Sequence, residues 1–350
     1  MAHLTLAARP RYVRGTSLQS RLLGLGLRHT VRPALGLWAR LPFDVVPPNL
    51  VEHAAKLLPV GEGTSWRTIR LTSSTSEWLH AKDVPGLADG NDRAILYFHG
   101  GAFLTCGLNT HRRLVSRISA AAEQPVLNVG YRQMPYEPIS ESVADGVEAF
   151  RWLLAQGYSA GAITIAGDSA GGYLAFSVAR AVIDGGWGSP AGVVAISPLL
   201  DFDPAGKQAH RNANRCQIFP LRAVAKLSDI SLRVDDRRGV SGRRVDPVNM
   251  PLADMPPALI HVGSREVLMA DAELMANRLV SAGVPCDLQV WEKQVHVFHA
   301  AASWVPEARL AIEEIGSFVR GLAERPAVET LRAAPAPRVR RERRERSAVR

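Results

Sequence analysis

Two segments of the chain fit Gly-x-Ser-x-Gly: Gly157-Tyr158-Ser159-Ala160-Gly161 and Gly167-Asp168-Ser169-Ala170-Gly171. A serine in this setting can attack an acyl carbon only if a strand enters the turn and a helix leaves it. The strained turn then presents the hydroxyl above the sheet. The first segment follows a helical pattern and precedes the β-rich run 162–166, which is the wrong order. The second follows that run and opens a helical pattern over 170–184. Ser169 is therefore the candidate nucleophile, and Ser159 reads as an ordinary loop serine.

A second segment, His99-Gly100-Gly101-Ala102-Phe103, ends the run Ala94–Phe98. Consecutive glycines let the backbone turn its N–H groups toward one point, where they can stabilise the oxyanion of a tetrahedral intermediate. In this chemistry the acid and base follow the serine in the order carboxylate, then histidine. Glu266 lies just past the run Ala258–Val262 and is the candidate acid. Asp271 is its rival, the alternative reading being a first-turn helix residue favoured by the helix dipole. His296 lies five residues past Trp291 and is the candidate base, with His299 as rival. His261 falls inside a strand and reads as buried or capped. No His-Glu-x-x-His, no paired Cys-x-x-Cys and no Gly-Lys-[Ser/Thr] occurs, so neither a metal nor a cofactor is expected.

These residues need a scaffold, and the chain supplies a regular one. Short β-rich runs at 94–98, 125–129, 162–166, 193–196, 258–262 and 286–291 are mostly separated by helical patterns at 110–122, 140–156, 170–184 and 271–282. Such alternation predicts a mostly parallel sheet covered on both faces. Residues 65–74 and 76–83 read as a further strand pair, giving eight strands, and 303–323 as a closing helix. Residues 17–60 read as two or three helices interrupted at Pro33. The stretch 201–250 breaks the rhythm, as an excursion over a ligand site does.

The chain resembles the hormone-sensitive-lipase-like α/β-hydrolases, also called the bacterial class IV esterases and lipases. The resemblance rests on HGGAF at 99–103, Tyr131-Arg132 with Pro135, GDSAGG at 167–172, Ser197-Pro198, Gly263–Leu268 and His296-Val297-Phe298. It spans about residues 90–320 in the family's order. It implies an α/β-hydrolase fold: an eight-stranded, mostly parallel sheet flanked by helices, with a helical cap. The cap would be formed by residues 1–60 and the 201–250 insertion of a catalytic domain at 61–324. It implies carboxylic ester hydrolysis, on short- to medium-chain acyl esters or lipids, by Ser169, His296 and Glu266 through an acyl-enzyme. The oxyanion hole carries over to Gly100, Gly101 and Ala170, and His99 to a bracing role. Family members more often have Asp-Pro where this chain has Glu266-Val267. An amidase or formamidase would use the same triad, and some relatives with this fold are binding proteins that lack a triad residue; here all three are present.

Composition agrees with a large soluble core: 47% of the 350 residues are hydrophobic and 21% charged, which excludes a disordered or fibrous chain. The net charge of +9 is unevenly placed. Residues 1–45 carry seven arginines against Asp44, and 325–350 nine against three glutamates, so the body between is mildly acidic. Nucleic acid is therefore not an expected partner. A small ester or lipid is, and the basic termini suit peripheral contact with an anionic membrane. The tail 325–350 is too poor in large apolar residues to fold and is expected to be disordered. Three scattered cysteines and no long apolar run point to a reducing, cytoplasmic setting. The oligomeric state is not written in these patterns.

Overall fold

A run such as Ala-Ile-Leu-Tyr-Phe has no polar face, so as a strand it must be covered on both sides. The computed structural model describes residues 8–42, 49–85, 90–242 and 244–322. Its strands are β1 (Arg11–Val13), β2 (Ser65–Arg70), β3 (Thr75–His80), β4 (Ala94–Phe98), β5 (Val126–Gly130), β6 (Ile163–Asp168), β7 (Gly192–Ile196), β8 (Ala258–Gly263) and β9 (Cys286–Trp291). Its helices are α1 (Leu18–His29), α2 (Val31–Trp38), α3 (Leu50–Ala54), α4 (Leu108–Ala122), α5 (Ile139–Ala155), α6 (Ala170–Asp184), α7 (Ala205–Ala209), α8 (Leu221–Arg237), α9 (Met269–Ser281) and α10 (Pro306–Gly321). The tail 325–350 and the N-terminal residues 1–7 lie outside the described residues.

The strands form one sheet in the order β1-β9-β8-β7-β6-β4-β5-β3-β2. All pairings are parallel except β2 with β3 and β3 with β5. Every residue of β4, β6, β7 and β8 is buried. Apolar side chains of α5, α6 and α9 cover one face, and those of α4 and α10 the other. The register aligns Phe98 with Gly167, Asp168 with Ile196, Ile196 with His261, and Gly263 with Trp291. The carboxyl ends of β4, β6, β7, β8 and β9 therefore share one edge, where open parallel sheets place their ligands.

The sheet has nine strands rather than the expected eight. The extra strand, β1, pairs parallel with β9, with Arg11 opposite Gln289 and Val13 opposite Trp291. Arg11 is held there by Asp287 and Glu314. The first sixty residues thus supply a strand as well as helices. The break between α1 and α2 falls at Thr30, which places Pro33 in the first turn of α2, where its missing donor is not needed.

The two helices pack on the 201–250 insertion. Lys226 Nζ on α8 donates to the carbonyls of Trp38 at 2.8 Å and Leu41 at 2.9 Å, and Arg32 Nε donates to Cys216 O at 2.9 Å. Gly24 is buried against Gln217, whose side chain would lie 2.6 Å from any Cβ at position 24.

Candidate active site

Ser169 sits between the last residue of β6 and the first of α6, at φ +53 and ψ −115. A non-glycine residue in that region is strained, and such strain persists only where the surroundings enforce it. Here Ser169 N donates to Ile196 O at 2.8 Å, and Ser169 O accepts from Leu199 N at 3.0 Å. Glycines allow the approach: a Cβ on Gly171 would lie 1.9 Å from Phe98 O, and one on Gly172 2.6 Å from Pro198 Cβ. Ser159, by contrast, is exposed, has φ −77 and leads into a short 3-10 turn.

Glu266, at the turn after β8, is fully buried, and its Oε2 lies 2.8 Å from His296 Nδ1. Its Oε1 accepts from Ser197 Oγ at 2.8 Å and from Gly263 N at 2.6 Å. His296 is positioned by two further contacts. The next residue, Val297, has φ +49, a genuine outlier for a β-branched side chain, and its N–H donates to Ser197 Oγ at 3.2 Å. Phe219, from the insertion, meets the imidazole edge-to-face at 4.8 Å between centroids. Ser197 thus ties the acid to the loop that carries the base.

The rivals lie elsewhere. Asp271 is in the first turn of α9, as expected, and is buried there: its Oδ1 is 2.8 Å from Lys207 Nζ, and its Oδ2 accepts from Leu200 N at 2.8 Å and Asp201 N at 3.1 Å. Burial pushes its carboxyl up to about 6, against the lowering influence of Lys207. Both oxygens are committed to pinning the start of the insertion. His299 is buried beside His261, Nε2 to Nδ1 3.0 Å. Burial, then the charge of Arg11, lowers His261 to about 3, while burial and His261 hold His299 well below its usual value.

The loop after β4 brings a correction. The Gly100 N–H donates to Asp168 Oδ1 at 3.0 Å and approaches His111 Nε2 at 3.3 Å, so it is not available to an oxyanion. Among the described residues the N–H groups of Gly101, Ala102 and Ala170 make no hydrogen bond. Gly101, at φ +119, folds so tightly that a Cβ would lie 1.9 Å from Thr105 O, and Ala102 follows at φ +57. Ala102 therefore offers the amide that Gly100 cannot. Asp168 also accepts from Tyr97 Oη at 2.8 Å. Burial pushes the Asp168 carboxyl up, but the charge of His111 and the hydrogen bonds from His111 and Tyr97 outweigh it and hold the carboxyl below its usual value. His99 stacks on Tyr131 at 4.4 Å, and its Nδ1 lies 2.7 Å from Gly100 O. Burial, with the charge of His111, drops His99 to about 4, so it is a neutral brace.

Sequence reasoning did not assign Ser197, Phe219 or Ala102. Ser197-Pro198 was visible as a motif, but nothing local says where its hydroxyl points. Among the described residues no group of three or more His, Cys, Asp or Glu side chains is placed to hold a metal ion. No helix among them is long and apolar enough to cross a membrane.

A family model for the alpha/beta hydrolase fold matches residues 95–300. The chain is 40% identical over 310 residues to the carboxylesterase/phospholipase LipF of Mycobacterium tuberculosis, covering 87% of this chain and 82% of that one. It is 41% identical over 293 residues to the esterase LipU of the same organism, covering 83% and 98%. Among solved structures, an esterase of the bacterial hormone-sensitive lipase family superposes with a TM-score of 0.76 at 29% identity, over 88% of this chain and 99% of that one. The esterase EstE5, soaked with p-nitrophenyl butyrate, gives 0.75 at 28%, over 89% and 100%.

Proposed function

Since the chain belongs to the α/β-hydrolase fold family, among the hormone-sensitive-lipase-like esterases, and is an ester hydrolase of the carboxylesterase/lipase type, we propose that it works through Ser169, His296 and Glu266. The observation that carries this reading is the buried Glu266–His296 contact of 2.8 Å, on the sheet edge where the strained Ser169 turn also lies. With Nδ1 engaged by the carboxylate, Nε2 is the ring nitrogen that takes the Ser169 proton. Ser169 Oγ attacks the ester carbonyl. The Gly101, Ala102 and Ala170 amides hold the resulting oxyanion, and Glu266 compensates the imidazolium. His296 then returns the proton to the leaving alkoxide, which departs as the alcohol and leaves an acyl-enzyme. Water, deprotonated by His296, attacks the acyl carbon, and the acid leaves as Ser169 recovers its proton.

The substrates proposed are short- to medium-chain carboxylic esters. The soak of EstE5 with a butyrate ester supports that range. The test is hydrolysis of p-nitrophenyl acetate, butyrate and octanoate by the wild type and by Ser169→Ala. The variant should lose activity by about 10⁶, as triad serines do. A fluorophosphonate should label the peptide bearing Ser169, and labelling that survived in Ser169→Ala would overturn the assignment.

A further inference from the structure

The inner and outer faces of α1 have different partners. On the inner face, Ser20 Oγ donates to Gln294 Oε1 at 3.0 Å, and both Ser17 and Ser20 bond Glu307. Gln294 lies two residues before His296, so the helix is fixed to the loop that carries the base. On the outer face Leu18, Leu22 and Leu25 recur at the spacing of one helical stripe and are 67%, 50% and 53% exposed. On α2 and just beyond it, Leu37 and Leu41 are exposed as well.

Within the segment that carries these leucines the charge is of one sign. Residues 8–42 contain seven arginines and no aspartate or glutamate. Two of the seven have partners in the body, Arg11 on Asp287 and Glu314, and Arg32 on Cys216 O. Among the described residues Arg21, Arg28 and Arg40 form no ion pair, and all three are exposed. The rest of the folded body is mildly acidic. A second copy of the chain would bring the same arginines against these and repel. An acidic, apolar-centred surface would not.

We propose that the outer face of α1 docks on the surface of an anionic lipid bilayer. Leu18, Leu22 and Leu25 enter the boundary between headgroups and acyl chains, and Arg21 and Arg28 sit at the phosphates, as in interfacial amphipathic helices. Because the inner face holds the His296 loop, docking brings the lipid surface to the site's edge of the sheet. The proposal rests on exposure and charge, not on the assignment of the triad.

The test uses the full chain, its basic tail included, with phosphatidylcholine vesicles and with vesicles containing phosphatidylglycerol. The wild type should sediment with the anionic vesicles and be released by salt, which screens the arginines. Leu22→Ser with Leu25→Ser should lower partitioning about tenfold or more. Arg21→Gln with Arg28→Gln should lower it and flatten its salt dependence. Hydrolysis of p-nitrophenyl acetate in solution, within about twofold of wild type, serves as the check that both variants fold. Vesicle binding by the leucine variant equal to that of the wild type would place attachment in the tail alone and overturn the proposal. So would a dimer in sedimentation velocity that the leucine substitutions split, since the stripe would then be a protein interface.

Discussion

Glu266 and Asp271 lie five residues apart, and neutralising each without changing its shape should produce opposite defects. In Glu266→Gln the amide cannot compensate an imidazolium, and its N–H₂ can force the wrong tautomer at Nδ1. Triad acids neutralised in this way lose about 10⁴ in kcat, or about 5 kcal/mol of transition-state stabilisation. Ser197 Oγ and Gly263 N still have an amide oxygen to donate to, so the fold should hold. Asp271→Asn instead leaves the fully buried Lys207 ammonium facing a neutral group. Breaking one side of a buried pair costs about 3–5 kcal/mol, a large fraction of the 5–15 kcal/mol that holds typical domains. At about 2 °C per kcal/mol for a large domain, the melting temperature should drop by about 6–10 °C. The assay pairs p-nitrophenyl butyrate turnover at 20 °C with calorimetry on both variants. The reasoning fails if Asp271→Asn melts within a degree of wild type yet is inactive while Glu266→Gln turns over normally.

Three further outcomes follow from the same geometry. Ser197 stands at φ +46, which glycine adopts freely, so Ser197→Gly should keep the backbone in place and lower the melting temperature only by about 2–6 °C, the effect of about 1–3 kcal/mol of lost hydrogen bonding. It should still lower kcat by about ten- to a hundredfold at constant KM, because Glu266 and Val297 lose a shared partner; unchanged kcat would remove Ser197 from the site's support. Stability should fall as pH drops from about 6.5 toward 4, because the unfolded chain takes up protons that buried His99 and His261 refuse until about 4 and about 3. Each contributes a slope of about 1.4 kcal/mol per pH unit, measurable by urea unfolding at pH 7, 6 and 5; a flat profile would contradict their burial as neutral rings. Phe219→Ala removes the ring against His296, so KM for p-nitrophenyl butyrate should rise more than KM for the acetate, and equal changes would show that the ring does not shape the acyl site.

What the sequence displays is what local pattern can encode. The inner strands were legible to within a residue or two because burial on both faces favours continuous apolar runs, as in Ala94–Phe98. Strand-then-helix order separated Ser169 from Ser159, and position after a strand picked out Glu266 and His296, which the structure brings together. Features fixed by a distant partner were not legible. Asp271 reads as a helix-start residue, which it is, but nothing local shows that Lys207, 64 positions earlier in the chain, is buried against it. The His-Gly-Gly segment says that amides converge, but only the Asp168 carboxylate shows that the Gly100 amide is already taken. β1 has three residues and no apolar run, and it is a strand only because β9 and two carboxylates accept it.

That short strand also bears on how copies of the protein can meet. An uncovered strand at the margin of a sheet is a template on which another chain can add its own. Here half of β9, from Gln289 to Trp291, is already paired with β1, and Arg11 is bonded to Asp287 beside the other half. The new margin is three residues long, with Pro10 before it and Gly15 shortly after, too short to seed an extended ladder. Sheet-to-sheet joining along Gln289–Trp291 would have to displace β1. At the opposite margin β2, six residues long, carries Arg67 and Arg70, which two copies pairing there would bring toward like charges.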